Sequence, residues 1–152
     1  MIAAVRVREV MTETVVTAPR AATIGDVAEL MRDRNVGSVV ICGDDGHPNA
    51  LITDRDVALA VADGATRDGD AGERASRPLV TGEPEMDIEE GVALMVQHRV
   101  RRLPLLENGS LCGIVTLDDL AVRAGDLKMA QQMTADVARA ALPEFYFHQR
   151  GG

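Results

Sequence analysis

The sequence predicts an α/β (α+β) fold made of two copies of one β-α-β-β-α unit, followed by a C-terminal helix. Two observations predict it. Leu51-Ile52-Thr53-Asp54-Arg55-Asp56 returns 63 residues downstream as Ile114-Val115-Thr116-Leu117-Asp118-Asp119. In both copies an apolar run stops at Thr, with Asp three positions later and an Ala-rich apolar segment next. That is the pattern of a buried strand running into a helix with Thr at its N-cap. Upstream of these corners, Val15 matches Leu79, Ile24 matches Ile88, Leu30 matches Leu94, Met31 matches Met95 and Val36 matches Val100, all at an offset of 64. An internal repeat this regular signals a duplicated architecture.

The elements follow in order. Residues 1–14 are a polar-apolar lead-in. Val15-Val16-Thr17 reads as a short strand closed by Pro19. Thr23 caps a helix whose apolar positions Ile24, Val27, Ala28, Leu30 and Met31 keep a helical period, and Asn35 ends it. Ser38-Val39-Val40-Ile41 is a strand, Gly43-Asp44-Asp45-Gly46 a turn, and Ala50-Leu51-Ile52-Thr53 the returning strand. Asp56 to Val61 is helical and stops at Asp63-Gly64. The first repeat therefore covers 7–63, and the small, charged stretch 64–76 reads as a linker. The second repeat covers 77–124. It has a strand at Leu79-Val80-Thr81, a helix from Ile88, a strand at Leu103-Pro104-Leu105 and a two-residue Asn108-Gly109 turn. That tighter turn accounts for the drop in offset from 64 to 63. Gly91 stands on the apolar stripe of the second repeat's helix, where Gly costs about 1 kcal/mol against Ala. It predicts close helix-on-helix contact between the units or between two chains.

Residues 125–152 lie beyond the repeats. Asp126 can cap a helix carrying Leu127, Ala130, Met133, Val137 and Ala141, which Pro143 ends. Glu144-Phe145-Tyr146-Phe147 then gathers the three aromatic residues of the chain. This apolar stripe packs on its own domain or forms a dimer or partner contact.

Composition narrows the function. Hydrophobic residues make up 46% of the 152 and aromatics 2%, so the core is aliphatic. A net charge of −8 removes any general basic surface for nucleic acid or anionic lipid. No apolar run approaches the roughly 18 residues of a membrane span, and the N-terminus lacks a signal-peptide pattern. The expected compartment is the cytoplasm. Cys42 and Cys112 show no metal-ligand spacing and read as small buried thiols, with a disulfide or thiol sensor as the alternative. His47, His98 and His148 are scattered and assigned to no site. No nucleophile-base set or carboxylate dyad assembles, so an enzyme is not expected.

Two β-α-β-β-α units, each ending in apolar-apolar-Thr-x-x-Asp, with Val100-Arg101-Arg102-Leu103-Pro104 in the second, resemble a tandem pair of cystathionine-β-synthase-type (CBS) domains over roughly 7–124. The Ile41-Cys42-Gly43-Asp44-Asp45 and Thr53-Asp54-Arg55-Asp56 runs are most similar to small stand-alone CBS-pair proteins, including the hypoxic-response type. Ala50 departs from the Gly that the family often has there, while Gly113 keeps it. The resemblance implies a pseudo-twofold module, often a homodimer, that senses adenine nucleotides or adenosyl ligands without catalysis. AMP, ADP, ATP and S-adenosylmethionine are the candidates.

The chemistry is intelligible. A helix N-terminus offers free N–H groups to phosphate, Thr adds a hydroxyl, and Asp one turn in can accept from both ribose hydroxyls. Carried over by the resemblance, one cleft joins Thr53, Arg55 and Asp56 to Leu79, Val80, Arg101, Arg102 and Pro104. The other joins Thr116 and Asp119 to Val15, Val16, Gly37 and Ser38. Only the first has strand arginines for phosphate, so it is expected to be the tighter. Thr-x-x-Asp is equally a helix-capping pattern, and a ligand-free structural or partner-binding homodimer, with a stress-related role among its options, is the alternative.

Overall fold

The computed structural model describes residues 5–123, with Ala135 as an isolated helical position. The expected C-terminal helix, its aromatic run and His148 lie outside the described residues. The chain divides into two compact units: Thr14–Leu79 with Gly109–Leu111, and Met1–Glu13 with Val80–Asn108 and Cys112–Gly152. They are called here the first and second units.

The first unit is a three-stranded sheet in the order β1-β2-β3 with helices on it. β1 (Thr17–Pro19) lies parallel to β2 (Ser38–Cys42), with Ala18 opposite Ile41. β3 (Pro48–Thr53) returns antiparallel, Val40 facing Leu51, with a bulge between Ile41 and Cys42. The Val15-Val16-Thr17 strand is thus shifted. Val16 only lends its carbonyl to the Val40 N–H (3.0 Å), and the strand proper begins at Thr17. α1 (Ile24–Arg34) starts at Thr23, whose hydroxyl accepts the Asp26 N–H while Asp26 accepts the Thr23 N–H. This reciprocal box satisfies two orphan donors. Asn35 ends the helix in the left-handed region, as Asn tolerates. α2 is Asp54–Ala62.

Residues 64–76, expected as a linker, instead fold onto this unit. α3 (Ala71–Arg74) is a single turn capped by Asp70, and Ala71 is fully buried with Val27, Val39, Ile41 and Ile52. Ser76 and Leu51 exchange backbone hydrogen bonds. Small side chains can approach a sheet closely, and the same composition that suggests flexibility allows this packing.

The second unit repeats the plan with less strand. α4 (Ile88–His98) is capped by Asp87 and ends at left-handed Arg99. β4 (Arg102–Glu107) and β5 (Ser110–Thr116) form a hairpin through Asn108-Gly109, both at positive φ, and α5 (Leu117–Arg123) follows. The expected strand at 79–81 is reduced to one parallel bridge, Gly82 with Leu105, the counterpart of Ala18 with Ile41. Glycine weakens a strand interior, yet here it permits contact. A Cβ on Gly82 would stand 3.2 Å from Leu105 and 3.3 Å from Met86.

The lead-in belongs to this second core. A 3₁₀ turn, Val7–Glu9, and the residues after it bury Val7, Val10 and Met11 with Ile88, Val92, Met95, Leu103 and Leu105. Val7 N–H bonds to Met86 O (2.8 Å), and Thr12 and Ile114 exchange N–H···O bonds (2.9 Å each). Two glycines of this unit explain the fit. A Cβ on Gly91 would meet Val7 at 3.3 Å, and one on Gly113 would meet the Met11 sulfur at 2.7 Å and the Thr12 carbonyl at 3.1 Å. Within this unit, the close approach that Gly91 permits is to Val7 of the N-terminal segment.

Candidate functional site

Each unit carries one Thr-x-x-Asp corner, and both are built the same way. At the end of β3, Asp56 Oδ2 accepts the Thr53 N–H (2.8 Å) and its hydroxyl (3.0 Å), while Thr53 Oγ1 accepts the Asp56 N–H (3.2 Å). At the end of β5, Asp119 Oδ2 accepts the Thr116 N–H (2.9 Å) and Thr116 Oγ1 accepts the Asp119 N–H (3.1 Å). Both boxes are half-buried, so they hold Thr and Asp in place at the mouth of a helix. The first helical N–H is tied back in the same manner in both units. Asp54 donates to Gly37 O (3.0 Å) and Leu117 donates to Arg101 O (2.9 Å). That bond draws the start of β2 or β4 against the corner, and it sets which side chains stand there.

The two corners differ in those side chains. In the first unit the neighbours are Gly37 and Ser38, which carry no charge. In the second they are Arg101 and Arg102. There a cavity of about 320 Å³ is lined by Arg101, Arg102, Thr116, Leu117 and Asp118. Arg101 is exposed and Arg102 half-buried, and among the described residues neither joins an ion pair. Other arginines of the chain do close on carboxylates: Arg8 on Glu85 (2.6 Å) and on Glu107, Arg67 on Glu29 (2.6 Å) and Arg74 on Asp63 (2.7 Å). Two uncommitted guanidiniums beside a Thr hydroxyl can bind a phosphate or carboxylate through paired donors.

The expected site residues fall in both units. Thr53, Arg55, Asp56, Leu79, Val15, Val16, Gly37 and Ser38 belong to the first unit, and Val80, Arg101, Arg102, Pro104, Thr116 and Asp119 to the second. Arg101 and Arg102 line a cavity with Thr116 of their own unit. Arg55 is exposed in the first turn of α2, and its N–H donates to Asp54 Oδ1 (2.9 Å). Val15, Val16, Leu79 and Val80 are half-buried. Pro104 is buried in the core, and its carbonyl accepts the Gly82 N–H at 3.0 Å. Leu117 and Asp118 were missed as lining. Their signal was available, since they are the two positions enclosed by Thr116 and Asp119.

Among the described residues, no group of three or more His, Cys, Asp or Glu side chains is placed to hold a metal ion. His47 and His98 are exposed. Cys42 and Cys112 are free thiols, half-buried rather than fully buried. Burial, then the nearby Asp45, pushes the Cys42 thiol up from its ordinary pKa. Burial, then Glu107, does the same at Cys112, whose thiol donates to Leu105 O (3.4 Å). Among the described residues no helix is long and apolar enough to cross a membrane.

Comparison with known proteins places these corners in context. The model of the CBS domain family matches residues 7–63 and 71–125. The CBS domain-containing protein YhcV of Bacillus subtilis is 38% identical over 137 residues, covering 90% of this chain and 91% of that protein. Hypoxic response protein 1 of Mycobacterium tuberculosis is 31% identical, covering 89% and 96%. Among solved structures, a CBS domain protein of Pyrobaculum aerophilum complexed with AMP superposes with a TM-score of 0.74 at 25% identity, over 86% of this chain and 99% of that one.

Proposed function

This chain belongs to the CBS domain family, and on that premise we propose that it is a non-catalytic regulatory protein that binds an adenine nucleotide or a related adenosyl ligand. The observation that carries the reading is the cavity at the Thr116 corner, with Arg101 and Arg102 uncommitted beside it. A phosphate sits against these two guanidiniums and the Thr116 hydroxyl. Asp119, already oriented by its cap bonds, accepts from the ribose hydroxyls. Val15, Val16 and Leu79 in the first unit and Val80 in the second are half-buried apolar side chains of the kind a purine packs against. At the Thr53 corner, Asp56 takes the same ribose role, but Gly37 and Ser38 offer no charge to a phosphate. With Arg55 as the one cation of its first helical turn, that corner is proposed as the weaker phosphate site, with adenosine and S-adenosylmethionine among its candidates. The AMP held by the Pyrobaculum aerophilum relative supports the ligand class. ADP and ATP belong in the same panel.

The experiment is calorimetry and thermal shift with AMP, ADP, ATP, adenosine and S-adenosylmethionine on the purified chain. Saturable binding with a raised melting temperature is expected from at least one, because a ligand that binds only the folded state stabilises it. No binding by any of them sinks the proposal.

A second reading, a homodimer that serves a partner, is favoured by exposed apolar side chains. Leu59 and Val61 on α2 are 50% and 60% exposed, and Val122 on α5 is 81% exposed. Such residues mark interfaces when they cluster. We propose an isologous dimer through these helix faces, in the cytoplasm, with or without a role in stress. A monomer mass by light scattering at micromolar concentration counts against it.

A further inference from the structure

A cavity larger than the one at the Thr116 corner has none of either corner's residues in its lining. It has about 720 Å³ and lies in the first unit, where Arg20, Asn49, Asp70, Glu73 and Arg77 surround Gly72. Asn49 is four residues before Thr53 along β3, about 13 Å away at the rise of a strand. This cavity thus opens at the other end of the sheet from the capped corner.

Its charges are held apart by one residue's backbone. The Gly72 N–H donates to Asp70 Oδ1 (2.8 Å), and the Gly72 carbonyl accepts from the Arg77 guanidinium (2.9 Å). A side chain at 72 would crowd Asp70, since a Cβ there would stand 3.1 Å from Asp70 Oδ1, and would be in ordinary contact with Arg77 at 3.7 Å. α3 ends at Arg74, so Glu73 and Arg77 are not neighbours on a helix face. Among the described residues none of Arg20, Asp70, Glu73 and Arg77 is in an ion pair, although Arg74 beside them closes on Asp63. Two cations and two anions therefore share one cavity with no described ion pair among them.

We propose that this cavity binds a small zwitterion of the amino-acid type. Its carboxylate lies on the Arg77 and Arg20 guanidiniums, which take carboxylates through paired donors, and its ammonium donates to Asp70 and Glu73. A simple anion is disfavoured by the two carboxylates and a simple cation by the two arginines. The volume falls in the range of small-molecule sites.

The test is calorimetry of the full chain with the twenty free amino acids, and with the N-acetylated and C-amidated form of any that binds. One or more free amino acids should saturate the protein at or below about 1 mM, and blocking either end should weaken binding about tenfold or more. Arg77→Gln and Glu73→Gln should each weaken it to a similar degree while leaving AMP binding unchanged. Arg20→Gln, at an exposed position that makes no described bond, gives the same readout if Arg77→Gln fails to fold. No saturation up to about 10 mM overturns the proposal, as do blocked forms that bind as well as free ones, or unchanged affinity in both Arg variants.

Discussion

Replacing Arg102 by Gln asks most directly whether the Thr116 corner is a phosphate site. Gln keeps a polar side chain on the first residue of β4 but removes the charge. A hydrogen bond to a charged group contributes about 1.5–3 kcal/mol, and each 1.4 kcal/mol is a tenfold change in affinity. Arg102 is half-buried, so solvent screens the pair and the lower end of that range applies. The expected loss is about tenfold in AMP affinity, with adenosine binding unchanged because adenosine carries no phosphate. Added salt should narrow the gap between parent and variant for AMP alone. Asp119→Asn is the counterpart. Its amide oxygen still accepts the Thr116 N–H, but it loses the charge that the ribose hydroxyls meet, so AMP and adenosine should weaken together. Titration calorimetry of both ligands on the parent and both variants decides the matter. Equal losses of AMP and adenosine in Arg102→Gln, or no loss of AMP, would refute the assignment.

Three further outcomes are expected. Gly113→Ala should destabilise the second unit by about 1–3 kcal/mol in urea unfolding, because its Cβ meets a Thr12 carbonyl pinned by the Ile114 N–H as well as the Met11 sulfur; an unchanged midpoint would show that the N-terminal segment yields freely. Asp26 has its pKa lowered, chiefly by the Thr23 backbone N–H and then by the Thr23 side chain. A depressed folded value means its contribution is complete above the unfolded value of about 3.9 and vanishes as pH falls through the folded one. The melting-temperature gap between the parent and Asp26→Asn should therefore be present at pH 7 and close below about pH 4; a gap independent of pH contradicts this. Finally, burial raises both thiol pKa values, so Cys42 and Cys112 should alkylate at pH 7.5 more slowly than free cysteine. Fast modification of either would restore the thiol-sensor reading.

The parts of the fold that sequence made legible rest on short-range bonds. Thr23, Thr53 and Thr116 each cap a helix through a residue three positions on, so the whole device fits in four consecutive residues. Asn35, Asn108 and Gly109 announce positive φ by their own conformational tolerance. The repeat then multiplied each local reading by two. Both Thr-Asp caps stand at the helix starts for the same reason, because the groups that orient them are each other.

What needed the tertiary structure was every choice among distant partners. The lead-in and the linker are both short and mixed in character, and nothing local says which core receives them. Val7 and Met11 go to the second unit because Gly91 and Gly113 leave space there, and Ala71 goes to the first because its small side chain fits beneath the sheet. Gly91 specifies room but not its occupant, which within this unit is Val7. Arg101 and Arg102 were legible as anion-binding groups by type. Their assignment to Thr116 follows from the bond between the Leu117 N–H and the Arg101 carbonyl, sixteen residues apart in the chain. Residue types and three-residue spacings determined the caps, the turns and the duplicated plan. Packing volume and long-range backbone bonding decided which segment fills which core and which charges face which corner.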